Sequence, residues 1–216
     1  MRYRYILFDL DGTLTDSGEG IFNSALYAFE KLGLPAPDRQ TLRKMVGPPL
    51  SVGFPLAGVP DELVGEAIRF YRDRYNNRGG MYENRVYDGI EPLLNALGTA
   101  GFRLCVATSK PETVSVKILS EFRLLPYFAF VAGAAPDSGR ESKEDVLKYL
   151  LSVLPKEGGA VMVGDTHYDV TGAHRLGLPC IGVTWGYGRK EELIKAGADA
   201  IVGSPEQLLR VLLQEP

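Results

Sequence analysis

The sequence has few of the side chains that build disulfide frameworks and zinc sites. Its 216 residues include two cysteines and two histidines. Cys105 and Cys180 each lie in an apolar run typical of a buried strand, which indicates free thiols packed as small hydrophobic groups and no disulfide. Because no cysteine and histidine spacing of the zinc type is present, we do not expect a zinc centre.

Long apolar runs and a strong excess of one charge are also missing. The apolar runs are too short to cross a membrane. A strand pattern begins within a few residues of Met1, so we do not expect a signal peptide. The formal net charge is −3, which does not favour nucleic acid or an anionic membrane as a partner. We therefore expect a cytoplasmic protein, monomeric or homodimeric, with neither of these partners.

Short apolar strands alternate with helical patterns over most of the chain. This alternation predicts an α/β fold with a parallel sheet covered by helices on both faces. Asp88, Ser142 and Ser204 are the expected caps of three of the helices. The strands are expected at residues 3–8, 103–107, 129–132, 160–163 and 179–183, with a weak last strand at 200–202.

The stretch between the first two strands is different. Its apolar residues recur at helical spacing up to Gly33, Asp38 can cap a short helix, and Asp61 can open a helix that runs to about Asn77. It contains no convincing strand. The sequence therefore predicts a core domain made of residues 1–16 and 85–216, and an all-helical inserted domain at residues 17–84.

Polar side chains gather just beyond the ends of the predicted strands. In an open parallel sheet the carboxyl ends of the strands meet at one edge, where ligands bind. We therefore expect these groups, which are far apart in sequence, to surround one crevice. They are Asp9 and Asp11, then Thr108, Ser109 and Lys110, and later Asp165 and Asp169.

Several carboxylates in one crevice repel each other and need a cation. Ligands that are all oxygen suit a hard ion, Mg²⁺ before Mn²⁺ or Ca²⁺. A carboxylate is also a nucleophile in aspartyl-phosphate chemistry, and a second one can protonate a leaving group. A hydroxyl and a lysine can hold the non-reacting phosphoryl oxygens.

Two segments resemble motifs of the haloacid dehalogenase-like (HAD) hydrolases. Asp9-Leu10-Asp11-Gly12-Thr13-Leu14-Thr15-Asp16 is similar to the first motif, and Gly164-Asp165-Thr166-His167-Tyr168-Asp169 to the fourth. Thr108 fits the second motif and Lys143 the third. The resemblance covers essentially the whole chain. It implies a Rossmann-like sheet with strand order 3-2-1-4-5 and identifies the insert as a helical C1 cap.

The resemblance also implies roles for four aspartates and a Mg²⁺ cofactor. Asp9 resembles the nucleophile and a metal ligand. Asp11 resembles the general acid and base, and it also ligates the metal through its backbone carbonyl. Asp165 resembles the metal carboxylate. Asp169 resembles the second acidic residue, which binds the metal directly or through water, or orients Lys143.

Phosphate binding is assigned by the same resemblance. Thr108 and Lys143 correspond to the phosphate holders of the family. Ser109, next to Thr108, could share that role. Lys110 competes with Lys143 for the lysine's role, but in the family pattern a separate lysine ahead of the fourth motif is the match.

Residue types separate the chemistries of the family. Dehalogenase members lack the metal site and the second aspartate, whereas Asp11, Asp165 and Asp169 are all present here. Ion-pumping ATPases carry threonine at the position of Asp11 and span membranes. Hydrolysis of a small phosphate monoester, as by a phosphoglycolate phosphatase or a 5′-nucleotidase, is the first expectation. A sugar phosphomutase and a non-catalytic phosphate-binding module remain as alternatives.

The inserted domain would then choose the substrate. Val46-Gly47-Pro48-Pro49-Leu50 and Tyr87-Asp88-Gly89-Ile90 resemble segments of the phosphoglycolate phosphatase and β-phosphoglucomutase group. Because cap loops face the core site in this group, Arg43, Lys44 and Gly47 are the candidates for specificity. A cluster of arginines is interpreted as a solvated helix face, with binding of an anionic leaving group as the alternative. These arginines are Arg69, Arg72, Arg74, Arg78 and Arg85.

Overall fold

The structure is a computed structural model that describes residues 3–214. Its sheet has six strands in the order β3-β2-β1-β4-β5-β6, and every neighbouring pair is parallel. The predicted α/β class and the order 3-2-1-4-5 are confirmed, and the weak last strand adds a sixth at the edge. The strands are β1 (Tyr5–Phe8), β2 (Arg103–Pro111), β3 (Phe128–Ala134), β4 (Ala160–Gly164), β5 (Cys180–Val183) and β6 (Ala200–Val202).

Ten α-helices connect or follow these strands within the described residues. Short 3₁₀ turns and one π-helical turn, Asp73–Asn77, lie between some of them. The helices are α1 (Gly18–Lys31), α2 (Arg39–Arg43), α3 (Leu50–Leu56), α4 (Val64–Arg72), α5 (Ile90–Thr99), α6 (Glu112–Glu121), α7 (Lys143–Val153), α8 (His167–His174), α9 (Lys190–Ala196) and α10 (Pro205–Leu213).

The chain divides into two compact units. One unit comprises residues Met1–Thr15 and Val86–Pro216, and the other comprises Asp16–Arg85. The first contains the whole sheet with α5–α10, which we call the core unit. The second contains α1–α4, which we call the helical unit.

Both faces of the central strand are buried, which explains its uninterrupted apolar sequence. Successive side chains of a strand point to opposite faces, yet Tyr5, Ile6, Leu7 and Phe8 are all at most 2% exposed. On the face of Tyr5 and Leu7, helices α7, α8 and α9 supply the covering residues. A parallel sheet covered on both faces needs such continuous apolar strands.

Three of the four predicted helix caps are confirmed. The side chains of Asp38, Ser142 and Ser204 each accept a hydrogen bond from the backbone N–H three residues on. The prediction for Asp88 is wrong: α5 begins one residue later, with Gly89 as its N-cap at φ +82° and no side-chain cap. The left-handed glycine turns the chain into the helix, so Asp88 lies outside it.

Strand β2 is longer than the sequence pattern indicated. We expected the apolar strand to end at Thr108, but it continues to Pro111. Its pairing with β3 shifts register between Ala107 and Pro111, where Pro111 pairs with Ala134. Ser109 and Lys110 are therefore held in extended backbone beyond the apolar part of the strand.

The helical unit has its own apolar interior. Three aromatic rings link three of its helices. The ring centroid of Phe29 in α1 lies 6.3 Å from that of Phe54 in α3, which lies 6.1 Å from that of Tyr71 in α4. The helix expected from Asp61 to about Asn77 is divided into a 3₁₀ turn, α4 and the π-helical turn.

The cysteines and the apolar runs were the subject of two further expectations. Cys105 and Cys180 are buried free thiols, as predicted, and they lie on β2 and β5, which are not neighbours in the sheet. Within residues 3–214, no helix is both long and apolar enough to cross a membrane.

Removal of a buried side chain from α7 should show how much the covered sheet contributes to stability. Leu147 is 0% exposed in the core cluster, so Leu147→Ala should lower the free energy of unfolding by about 2–5 kcal/mol. Val153, at the end of the same helix, is 42% exposed, and Val153→Ala should change it by less than about 0.5 kcal/mol. Urea denaturation followed by circular dichroism measures both; equal losses would contradict the assigned packing.

Candidate active site

The first motif forms a tight loop directly after β1. The backbone N–H of Asp9 donates to the Val163 carbonyl of β4 at 2.9 Å. Beyond it, the carbonyl of Leu10 accepts the N–H groups of Thr13, Leu14 and Thr15. These bonds fix the segment that carries Asp9 and Asp11 at the carboxyl edge of the sheet.

The fourth motif lies beside it, at the end of the neighbouring strand. Asp165 follows β4, and Asp169 lies in the first turn of α8; both are 0% exposed. One oxygen of Asp169, Oδ2, accepts from the N–H and the hydroxyl of Thr166 at 3.0 and 2.9 Å. This capping box orients Asp169 and leaves its other oxygen, Oδ1, to face the site.

Lys143 joins the two motifs. It is the first residue of α7, and its ammonium nitrogen lies 2.8 Å from Oδ1 of Asp9, 2.8 Å from Oδ1 of Asp169 and 2.9 Å from the carbonyl oxygen of Ala107. An ammonium group has three hydrogens, and three oxygens surround this one. In this structure Lys143 therefore offsets the charge of the carboxylates and bridges β2 to both motifs.

The electrostatics of the site follow from burial and crowding. Burial raises the pKa of Asp165 to about 8, and the nearby charges of Asp169 and Asp9 add to this effect. Burial also raises the pKa of Asp9 to about 6, although the ammonium of Lys143 opposes the rise. For Lys143, burial alone would lower the pKa, but the charges of Asp169 and Asp9 raise it instead. Lys143 alone therefore does not offset the charges of the three buried carboxylates Asp9, Asp165 and Asp169.

The donor set fits a hard divalent cation. Asp9, Asp165 and Asp169 are buried, and each offers a carboxylate oxygen, all within 4.8 Å of one another. Oxygen atoms are the preferred ligands of Mg²⁺, and a divalent cation would favour the ionised forms of the buried Asp9 and Asp165 carboxylates.

Two residues of β2 approach the same edge. Thr108 is 2% exposed, and its hydroxyl oxygen accepts the N–H of Lys110 at 3.3 Å, which leaves the hydroxyl hydrogen to donate. The ammonium of Lys110 lies 2.7 Å from Oδ2 of Asp11. Ser109, between them, is half-buried. The sequence did not predict this pairing, because Lys110 and Lys143 were considered only as alternatives for one phosphate-binding lysine.

The segment after β5 also supplies contacts to the site. The indole N–H of Trp185 donates to the carbonyl of Thr13 at 3.0 Å. The backbone N–H groups of Tyr187 and Gly188 donate to Oδ2 of Asp165 at 2.7 and 3.4 Å. Backbone donors leave no side-chain signature, so the sequence alone could not identify these N–H groups.

Glycines allow this close approach. A Cβ atom on Gly12, whose φ is +83°, would overlap the carboxylate of Asp165, and one on Gly164 would overlap that of Asp169. A Cβ on Gly186 would overlap the Gly12 carbonyl. The carboxylates therefore lie where side chains at these positions would have been.

The specificity candidates belong to the helical unit. Arg43 and Lys44 are exposed, and Gly47 lies in the loop between α2 and α3. Within the arginine cluster, four members have an acidic partner in the same unit. The pairs are Arg69 with Glu66, Arg74 with Glu83, Arg78 with Asp73, and Arg85 with Asp16.

Comparison with known proteins identifies the family. A family model described as haloacid dehalogenase-like hydrolase matches residues 6–183. The chain therefore belongs to this family, which confirms both the predicted resemblance and the prediction of an enzyme of the hydrolase class.

Individual relatives have several names. A 5′-nucleotidase from Pseudomonas aeruginosa is 42% identical over 89% of this chain and 88% of its own length. The tyrosine-protein kinase PtkA from Mycobacterium tuberculosis is 43% identical over 91% of this chain and 67% of its own. A phosphoglycolate phosphatase from Vibrio vulnificus, at 31% identity over 97% of this chain and 96% of its own, represents the predicted subgroup.

A solved structure is similar throughout. The crystal structure of a predicted phosphatase from Clostridium acetobutylicum has a TM-score of 0.91 and 46% sequence identity, and the match covers 99% of both chains. The match supports the order of elements that brings the four motif segments to one edge of the sheet.

The space taken by Asp165 can be tested with two glycines that share a backbone conformation. Gly12→Ala should lower stability by more than about 1–2 kcal/mol and abolish phosphate ester hydrolysis, because the new Cβ displaces Asp165. Gly177 has φ +69°, and apart from the glycine and its two chain neighbours no atom of residues 3–214 lies within 4 Å of the position that a Cβ would take there. Gly177→Ala should therefore lose only the stability that a left-handed backbone costs an alanine, and this variant should stay active. Thermal unfolding and phosphate release measure the two effects; an active Gly12→Ala variant would refute the assignment.

Proposed function

We propose that the protein is a Mg²⁺-dependent phosphatase that hydrolyses a small phosphate monoester through a phospho-aspartate on Asp9. The observation that carries this proposal is the buried cluster of Asp9, Asp165 and Asp169 around the ammonium of Lys143. Such a cluster at the carboxyl edge of a parallel sheet suits a metal ion and a phosphoryl group more than it suits stability, because burial of several carboxylates is costly.

In the first step Asp9 attacks phosphorus. Oδ1 of Asp9 accepts the N–H of Leu10 at 2.7 Å and lies 2.8 Å from Lys143, so we assign the attack to Oδ2. A bond forms from this oxygen to phosphorus while the bond from phosphorus to the leaving oxygen breaks. Asp11 gives its proton to that oxygen.

In the second step water hydrolyses the phospho-aspartate. Asp11, now ionised, accepts a proton from the attacking water, whose oxygen bonds to phosphorus as the bond to Asp9 breaks. Inorganic phosphate and the carboxylate of Asp9 are the products. In both steps the hydroxyl of Thr108, and Ser109 beside it, would donate to non-reacting phosphoryl oxygens, and Lys143 would contribute its charge.

The proposed metal ligands are the carboxylates of Asp9, Asp165 and Asp169, with the backbone carbonyl of Asp11. When bound, Mg²⁺ would offset the charge of the phosphoryl oxygens. The chain itself supplies orientation: Thr166 holds Asp169, while Tyr187 and Gly188 hold Asp165.

For the substrate we propose a small phosphorylated metabolite, of the 5′-nucleotidase or phosphoglycolate phosphatase type. This is supported by the names of the relatives and by the inserted helical unit, which we propose to act as the cap that chooses the leaving group through Arg43, Lys44 and Gly47. The name of the related kinase favours one further possibility, transfer of the phosphoryl group to an acceptor other than water.

The nucleophile can be tested by a substitution that keeps the shape of Asp9. Purified protein with Mg²⁺ should release phosphate from nucleoside monophosphates, phosphoglycolate and 4-nitrophenyl phosphate. Asp9→Asn should reduce kcat by at least about a thousandfold, because the amide is a poor nucleophile. Leaving-group release that exceeds phosphate release would indicate transfer to another acceptor.

Asp199 provides the matched control for this test. It is an aspartate of the core unit whose partners are the N–H of Cys180 and the ring of His174, so Asp199→Asn should retain full activity. An Asp9→Asn variant with wild-type kcat, or wild-type activity in EDTA, would refute the mechanism.

The raised pKa values predict how magnesium stabilisation depends on pH. Because the pKa of Asp165 rises from 3.8 to about 8 and that of Asp9 to about 6, the folded protein binds protons more tightly than the unfolded chain. Without metal, stability should therefore fall as the pH rises from about 4 to 8. Since Mg²⁺ competes with these protons, it should raise Tm more at pH 8 than at pH 5.5.

Differential scanning fluorimetry in EDTA and in Mg²⁺ at both pH values measures this effect. Asp165→Asn removes the group with the largest carboxyl shift, so its metal-free Tm should fall less with pH and Mg²⁺ should raise it less. An equal Mg²⁺ effect at both pH values in the wild type would contradict the prediction.

A further inference from the structure

Two buried lysines at the edge of the sheet contact different aspartates. Lys143 lies against Asp9 and Asp169, whereas the ammonium of Lys110 lies 2.7 Å from Oδ2 of Asp11. The side chains of Lys110 and Asp11 are 7% and 14% exposed. A pair so shielded from water is held more firmly than a surface ion pair, in which both side chains keep their freedom.

The backbone of Lys110 is fixed as well. β2 extends through Lys110 to Pro111, and the N–H of Lys110 donates to the hydroxyl of Thr108. The lysine therefore reaches Asp11 from a strand that also carries the proposed phosphate-binding hydroxyl. A side chain placed from a strand is positioned more accurately than one from a mobile loop.

The pairing distinguishes the two oxygens of Asp11. Oδ2 receives the ammonium of Lys110, while Oδ1 is buried and has no hydrogen-bond partner within residues 3–214. An ammonium group can donate but cannot accept, so Oδ2 is the acceptor in this pair. A carboxyl group held at one oxygen has a defined orientation.

We propose that Lys110 is a positioning residue for proton transfer: it holds Asp11 by Oδ2 and so fixes the orientation of the carboxyl group that protonates the leaving oxygen of the substrate. This inference rests on the proposed function, in which Asp11 is the general acid. It assigns Lys110 a role separate from phosphate binding and from the charge-offsetting role of Lys143.

Leaving groups that differ in their need for a proton test the proposal. An alkoxide departs only with protonation, whereas 4-nitrophenolate departs readily without it. Lys110→Met should reduce kcat/KM for the best alkyl monoester of the substrate panel by about 10–100-fold, which is less than the full contribution of general acid catalysis because Asp11 itself remains. It should reduce kcat/KM for 4-nitrophenyl phosphate by less than about threefold. Because kcat/KM reports only the steps up to departure of the leaving group, the later hydrolysis of the phospho-aspartate does not affect it.

Phosphate affinity separates positioning from binding. If Lys110 only positions Asp11, inorganic phosphate should inhibit Lys110→Met and the wild type with similar constants. Equal losses of kcat/KM for both substrates, together with weaker inhibition by phosphate, would show that Lys110 binds phosphate and would overturn the proposal. Unchanged kcat/KM values for both substrates would overturn it too.

Two further variants keep the test decisive. Lys117→Met removes an exposed lysine of α6 and should leave both kcat/KM values unchanged. Lys110→Arg keeps a cation that donates hydrogen bonds and should restore the ratio of the two values towards that of the wild type, even if Lys110→Met lowers stability. Failure of the proposed function would look different, because the wild type would then release no phosphate or Asp9→Asn would remain active.

Discussion

The buried ion cluster around Lys143 is the interaction on which the rest of the site depends. The first turn of a helix disfavours a cation, because the helix dipole places positive charge there, and burial adds a further cost. Lys143 is nevertheless buried at the first position of α7, where Asp9, Asp169 and the Ala107 carbonyl surround it. Only these acceptors make the position tolerable, so β1, β2, α7 and α8 must keep their mutual arrangement for the ammonium to remain paired.

The same arrangement needs backbone that approaches the carboxylates closely. Because Gly12 and Gly164 have no Cβ atom, the carboxylates of Asp165 and Asp169 can occupy the space beside them. The loop after β5 then closes on Asp165, with donors from Tyr187 and Gly188 and with Trp185 bonded to the first-motif loop. The site is therefore a packed assembly of three loops, and its glycines are as necessary to it as its charges.

The sequence was sufficient for the sheet and for the residues at its edge, since apolar strands and strand-end polar groups are local signals. It was not sufficient for pairings that depend on side-chain direction. The end of the apolar run suggested that β2 ends at Thr108. Pairing with β3 extends the strand to Pro111. Asp88 has the type of a cap residue, but Gly89 occupies the cap through its backbone. Lys110 and Lys143 look equivalent in sequence and differ only in which aspartate they reach.

This separation of the lysines has a chemical consequence. If one lysine offset every carboxylate, a change in its charge would affect the proposed nucleophile and the proposed acid together. Here the Asp9 and Asp169 carboxylates share Lys143, while Asp11 has Lys110. In the proposed mechanism Asp9 must stay ionised to attack, whereas Asp11 must gain and lose a proton, and these opposite needs are easier to meet with separate partners. In the proposed function the groups gathered at this edge would recognise a phosphoryl group and a cation, so the choice among phosphate esters would fall to residues outside it.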